Sequence, residues 1–267
     1  MTDSLGRDPS GLRRPIFFLN LRDVRVSRAR RVARALWSTS RANNYYDGTG
    51  VLMLDHVTPV ISALFGTFLL DPDWPGNGHA YIARISETSD PTWSDIRNGL
   101  MGLAAQLDLP CPEEDDVPLA TLLHLLARHF RIDNDGGLNN LVDHHPFEDT
   151  ADLEALFTIA LCFDDGHGLR AIQFEGCWHC SKPRLFEFGG DGAFISREVI
   201  HYGDSHQPIE FGSGLREALV ADDIDGATAM LATMVRKTLA GISDGTARET
   251  LTIQLATLLQ DTSSNPE

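Results

Sequence analysis

Residues 156–201 most constrain what this chain can fold into. Short apolar, β-rich runs at 156–163, 169–175, 184–188 and 193–200 are separated by turn chemistry. The gaps read Asp164-Asp165-Gly166-His167-Gly168, Cys177-Trp178-His179-Cys180-Ser181-Lys182-Pro183 and Gly189-Gly190-Asp191-Gly192. This pattern predicts an antiparallel meander over about 156–200. The first run has a second reading, because Thr150 can cap a helix and Leu153, Leu156, Phe157, Ala160 and Leu161 fit a helical stripe. The glycine-containing loop at 164–168 suits a hairpin and favours the strand.

Around the meander the signals are mostly helical. Thr58-Pro59 is a cap followed by proline at the first helical position, opening a helix to Leu70. Asp90-Pro91 repeats that start ahead of Trp93, Ile96, Leu100, Leu103 and Leu107, and Leu119, Leu122, Leu123, Leu126 and Phe130 mark another helix. Helices are expected at 215–220, at 225–239, and from the capping box Thr246-Ala247-Arg248-Glu249 onward. Strands are expected at 15–20, 51–54 and 79–85, with turn-rich loops at 43–50 and 134–140 and an irregular segment at 203–214. The fold class is α+β: a meander sheet packed against helices from both the N-terminal and C-terminal parts, extended or underlain by the earlier strands. Residues 14–260 read as a single domain between tails at 1–13 and 261–267. The acidic, proline-bearing linker near 110–117 is the one candidate subdivision.

Charge is split along the chain. Residues 1–41 hold ten arginines against three aspartates, a balance of +7, whereas residues 42–267 hold 12 basic and 35 acidic side chains, a balance of −23. The body should repel nucleic acid and anionic membrane and attract basic surfaces. At 23–37, apolar positions at Val26, Ala29, Val32, Ala33, Leu36 and Trp37 are interleaved with Arg25, Arg28, Arg30, Arg31 and Arg34. That spacing predicts an amphipathic helix with an arginine face, suited to self-pairing or partner docking. The longest apolar run is far short of a bilayer span, no export signal opens the sequence, and four cysteines make no secreted disulfide framework, so a cytoplasmic location is expected.

The sharpest local motif is Cys177-Trp178-His179-Cys180. Two thiolates two residues apart can reach one tetrahedral zinc, and an imidazole can complete the shell. A hairpin centred on Gly190-Asp191 would pair Cys180 with His201, so Cys177, His179, Cys180 and His201 are the candidate metal ligands. Asp143-His144-His145, following Leu141-Val142, resembles the signature of DHH-family phosphoesterases, in which carboxylates and imidazoles hold two divalent metals for phosphate-ester hydrolysis. The resemblance covers only these residues, and the Asp-x-Asp element that family carries upstream has no counterpart before position 130. Nucleotide-binding glycine motifs, GxSxG and HExxH are absent from the sequence.

Two functions follow as expectations. One is a non-enzymatic acidic binding protein of the immunity-protein, inhibitor or adaptor type, which docks a basic protein through Trp178, Tyr45 and Tyr46. The other is a metal-dependent hydrolase with a Cys/His or Asp/His site, favoured by ten histidines, six of them between positions 144 and 206.

Overall fold

The computed structural model describes residues 44–111, 117–180 and 188–262. Six antiparallel strands make one sheet: β1 (Asn44–Met53), β2 (Asp71–Pro75), β3 (His79–Ile85), β4 (Ala171–Cys180), β5 (Gly189–Ser196) and β6 (Ile200–Asp204). Their spatial order is β2-β3-β1-β4-β5-β6. The α-helices among the described residues are α1 (Pro59–Phe65), α2 (Trp93–Gln106), α3 (Leu119–Phe130), α4 (Gly136–His144), α5 (Leu153–Cys162), α6 (Gln207–Val220), α7 (Ile224–Ala240) and α8 (Gly245–Thr262). The fold is α+β, with helices α1–α5 packed on one face of the sheet. Among the described residues no helix is long and apolar enough to cross a membrane.

Strand alternation decides which side chains meet those helices. Leu52 on β1, Ile82 on β3, Ile172 on β4 and Ile195 on β5 point to one side and are almost wholly buried against Ile61, Phe65, Leu156 and Phe157. Opposite them, Thr49, Gln173, Glu175 and His201 face solvent, as expected for an antiparallel sheet covered on one side.

The caps explain where the helices start. Thr58 accepts the Ile61 N–H and donates to Asp165, whose other oxygen takes the Val60 N–H, so the 164–168 loop is tied onto the first turn of α1. In the same loop the Nδ1 of buried His167 accepts the Leu169 N–H, leaving Nε2 to donate to the Ala160 carbonyl. Thr92 and Asp95 form a capping box at α2. Asp135 caps α4 by accepting from Gly137 and Leu138, so the expected loop at 134–140 is largely helix.

Other expectations are corrected. The run at 156–163 is the helix α5, not a strand, and its cap is Asp152 rather than Thr150. Leu156, Phe157, Ile159 and Ala160 are all buried, so the helix is apolar nearly all round and periodicity could not separate it from a strand. The turn-like stretch at 189–192 opens β5, and the Cys177–Cys180 stretch finishes β4. β1 reaches back to Asn44 through the expected loop, α1 stops at Phe65 rather than Leu70, and the segment at 203–214 is the end of β6 followed by α6. The strand expected at 15–20, the helix at 23–37, most of the 110–117 linker and residues 184–187 lie outside the described residues.

Candidate functional site

The covered face of the sheet is wider than the helices that cover it. Beyond Leu52 and Ile172 the same face continues with Gly50, Gly48 and Tyr46 on β1, Phe174, Gly176 and Trp178 on β4, and Asp191 on β5. Glycine at these places lets rings lie flat on the backbone. A Cβ at Gly176 would stand 2.3 Å from the Tyr46 hydroxyl, and one at Gly48 would stand 2.5 Å from the Phe174 ring. Tyr46 therefore crosses Gly176, and its hydroxyl donates to Asp191 Oδ1 at 2.8 Å. The Arg84 guanidinium sits 5.0 Å from the centre of the Tyr46 ring and is ion-paired with Asp90.

Neighbouring elements wall this strip into a trough. On β6, which pairs with β5, Tyr202 reaches α5 and donates to Glu154 Oε2 at 2.8 Å. At the end of β6, Asp204 accepts the His206 and Gln207 N–H groups and ties the strand to the approach of α6, and the chain after α7 returns to the sheet edge through the Ile242–Val199 bridge. Phe211 of α6 and Met230 and Met234 of α7 give that wall an apolar surface. The open space is about 4540 Å³, but it extends to both sides of the thin glycine strip and is an open surface rather than an enclosed cavity. Nine acidic residues border the whole space; Asp47 and Glu175 stand on the far face of the sheet, which leaves seven with the trough, against Arg84, Lys237 and Arg248 as its Arg and Lys side chains.

The structure brings Tyr46 and Trp178 together on the trough face and sets Tyr45, with His179, on the opposite face of the sheet. Tyr46 stands opposite Trp178, with ring centres 5.3 Å apart, and Tyr45 stands opposite His179, stacked at 5.1 Å. His179 Nε2 is also 3.1 Å from Asp47 Oδ2. That hydrogen bond, with the Ser86 backbone N–H on the other oxygen, holds the Asp47 carboxyl below its ordinary range.

The candidate metal ligands are not brought together. The strand continues regularly through Cys177-Trp178-His179-Cys180, so residues three apart fall on opposite faces: Cys177 is exposed beside Asp47, and Cys180 is buried on the other side. The expected Cys180–His201 pairing is replaced by Cys180 opposite Asn44 and His201 opposite Phe194. Among the described residues no group of three or more His, Cys, Asp or Glu is placed to hold a metal ion. In the Asp143-His144-His145 stretch, His145 has both ring nitrogens occupied. Its Nδ1 accepts the Phe147 N–H, and its Nε2 donates to Asp152 at 2.7 Å, while the ring packs edge-on against Trp93. His144 lies against the Asn140 carbonyl, one turn back in α4.

Glu154, Asp191, Tyr202 and Arg84 were not singled out from the sequence. Asp191 was hidden inside an apparent glycine turn, and Glu154 and Tyr202 sit 48 positions apart, joined only by the sheet order. The chain matches no protein-family model, no curated protein and no solved structure.

Proposed function

We propose that this chain is a non-enzymatic binding protein whose acidic trough docks a basic protein partner, in the manner of an immunity protein, inhibitor or adaptor. The observation that carries the reading is the excess of seven acidic residues over three cations around a floor of aromatic rings. Two of those carboxylates, Asp191 and Glu154, are held by the hydroxyls of Tyr46 and Tyr202 and are oriented before anything binds. Fixed carboxylates suit the planar fork of arginine, and aromatic faces suit stacking on it. A trough of one sign also speeds encounter with a cationic partner. The hydrolase alternative draws no support from this geometry, because the imidazole of His145 is already committed to Phe147 and Asp152.

The test is calorimetric titration of an arginine-rich peptide into the whole chain. Glu154→Gln with Asp191→Asn removes two charges yet leaves an amide oxygen for each tyrosine to donate to. That pair should weaken binding about tenfold, in line with the loss of one or two charge-assisted contacts. Asp222→Asn with Asp225→Asn removes as much charge at the start of α7 and should change affinity less than twofold. Equal weakening by both pairs would mean diffuse attraction and would overturn the trough as the docking site.

A further inference from the structure

We infer that the arginine-bearing segment at 23–37 of this same chain occupies the acidic trough and competes there with a basic partner. The inference rests on the trough being a site for basic chains. Chain reach allows it: β1 begins at Asn44, and six residues, 38–43, separate it from the predicted helix. Fully extended, they span about 20 Å. Asn44 lies two positions before Tyr46, which is itself bonded to Asp191, so the chain leaves the sheet at the edge of the trough. Fifteen residues in a helix are about 22 Å long, comparable with the width of six paired strands.

Chemistry matches on both faces of the segment. Arg25, Arg28, Arg30, Arg31 and Arg34 carry five positive charges with no acidic residue between them, and the trough has an excess of four acidic over basic side chains by its seven-to-three lining. The segment's other face, with Val26, Ala29, Val32, Leu36 and Trp37, corresponds to the apolar wall of Phe211, Met230 and Met234. The acidic stretch at 113–116, also rich in carboxylates, presents no apolar side chain of its own, so it matches only one of the two faces. A tethered segment meets its site at an effective concentration near the millimolar range. A segment whose own dissociation constant for the trough is about 100 μM then weakens a free peptide's apparent affinity about tenfold.

The experiment compares the whole chain with a whole-chain variant in which Arg25, Arg28, Arg30, Arg31 and Arg34 are changed to Gln. An unrelated arginine-rich peptide is titrated into each at low salt, and trypsin cleavage after positions 25–34 is timed in the parent chain, alone and with Glu154→Gln and Asp191→Asn. Expected are about tenfold tighter peptide binding by the Arg→Gln variant and tryptic cuts in the parent that speed up severalfold when the trough charges are removed. Equal peptide affinity for both chains, with cleavage unaffected by the trough variants, would overturn the inference and leave the docking site standing. No peptide binding by either chain would overturn the docking reading and this inference with it, and Gly203→Ala serves as a folded control for handling of the variants.

Discussion

Burial raises the Cys162 thiol to about 12, and the nearby Asp135 charge and hydrogen bond add to the effect. Cys177, by contrast, is exposed on the solvent side of β4. An alkylating reagent at pH 8 should label Cys177 and spare Cys162 until denaturant is added, which peptide mapping would show. Because the folded pKa of Cys162 lies above the unfolded one, the folded state binds the extra proton between the two. Its contribution is fully present below about pH 9 and is lost as pH rises toward 12. Cys162→Ala should flatten that alkaline decline in the urea midpoint. Asp47 works in the opposite sense. Its carboxyl is held low by His179 and the Ser86 N–H, so its contribution is present above the unfolded pKa of about 4 and disappears as pH falls below it. Asp47→Asn should therefore narrow the gap in melting temperature between pH 5 and pH 2.5, although exposure and salt screening keep the effect small. A chain whose acid decline is unchanged by this substitution would have its acid sensitivity elsewhere.

For single elements, the glycines of the sheet separate structure from space. Gly176→Ala drives a methyl into the Tyr46 hydroxyl, so either the ring moves off the strip or the strands part. Overpacking of this kind costs about 1–3 kcal/mol, and it should also break the bond to Asp191 and weaken peptide binding. Gly203→Ala on β6 meets nothing within 4 Å and should change stability by less than about 0.5 kcal/mol. Denaturant melts of the two variants check the contrast, and equal costs would mean that Tyr46 does not lie where it is placed. These same glycines explain what could be read from the sequence. β3 was legible at 79–85 from the alternation of its first residues, and the first turn of α1 was legible from Thr58-Pro59. The glycines at 48, 50, 176, 189, 190 and 192 looked like punctuation because glycine more often breaks a strand than serves as a bed for a ring. Tyr45, Tyr46 and Trp178 could be picked as binding residues by type. The meeting of Tyr46 with Trp178 and Asp191 depends on β1 entering the sheet beside β4, a pairing between segments more than a hundred positions apart that no local pattern encodes.

Across the whole molecule the two helical groups differ in how firmly they are held. Helices α1–α5 bury Ile61, Leu64, Leu100, Leu122 and Phe157 to within 1% of full burial, whereas among the described residues α6–α8 bury only Ala227. The C-terminal group is joined to the sheet at its margins, by the Asp204 bonds to the His206 and Gln207 N–H groups at one end and by the Val199–Ile242 bridge and the Ile200 N–H to Gly241 bond at the other. It also leaves Ile209, Leu231, Met234 and Ile253 at 45% exposure or more. With so little apolar area removed from water, backbone hydrogen bonding alone sets its resistance to opening, and helices without packing are marginal in water. Amide hydrogen exchange on the isolated chain should therefore divide in two. β1, β4, α1 and α5 should exchange only through global unfolding, and α6–α8 should exchange through local opening several orders of magnitude faster. Adding a basic partner should slow exchange in α6 and α7, which wall the trough, more than in α8. If α6–α8 were as protected as β4 in the isolated chain at micromolar concentration, the apolar side chains they expose would have to be covered by something other than this sheet.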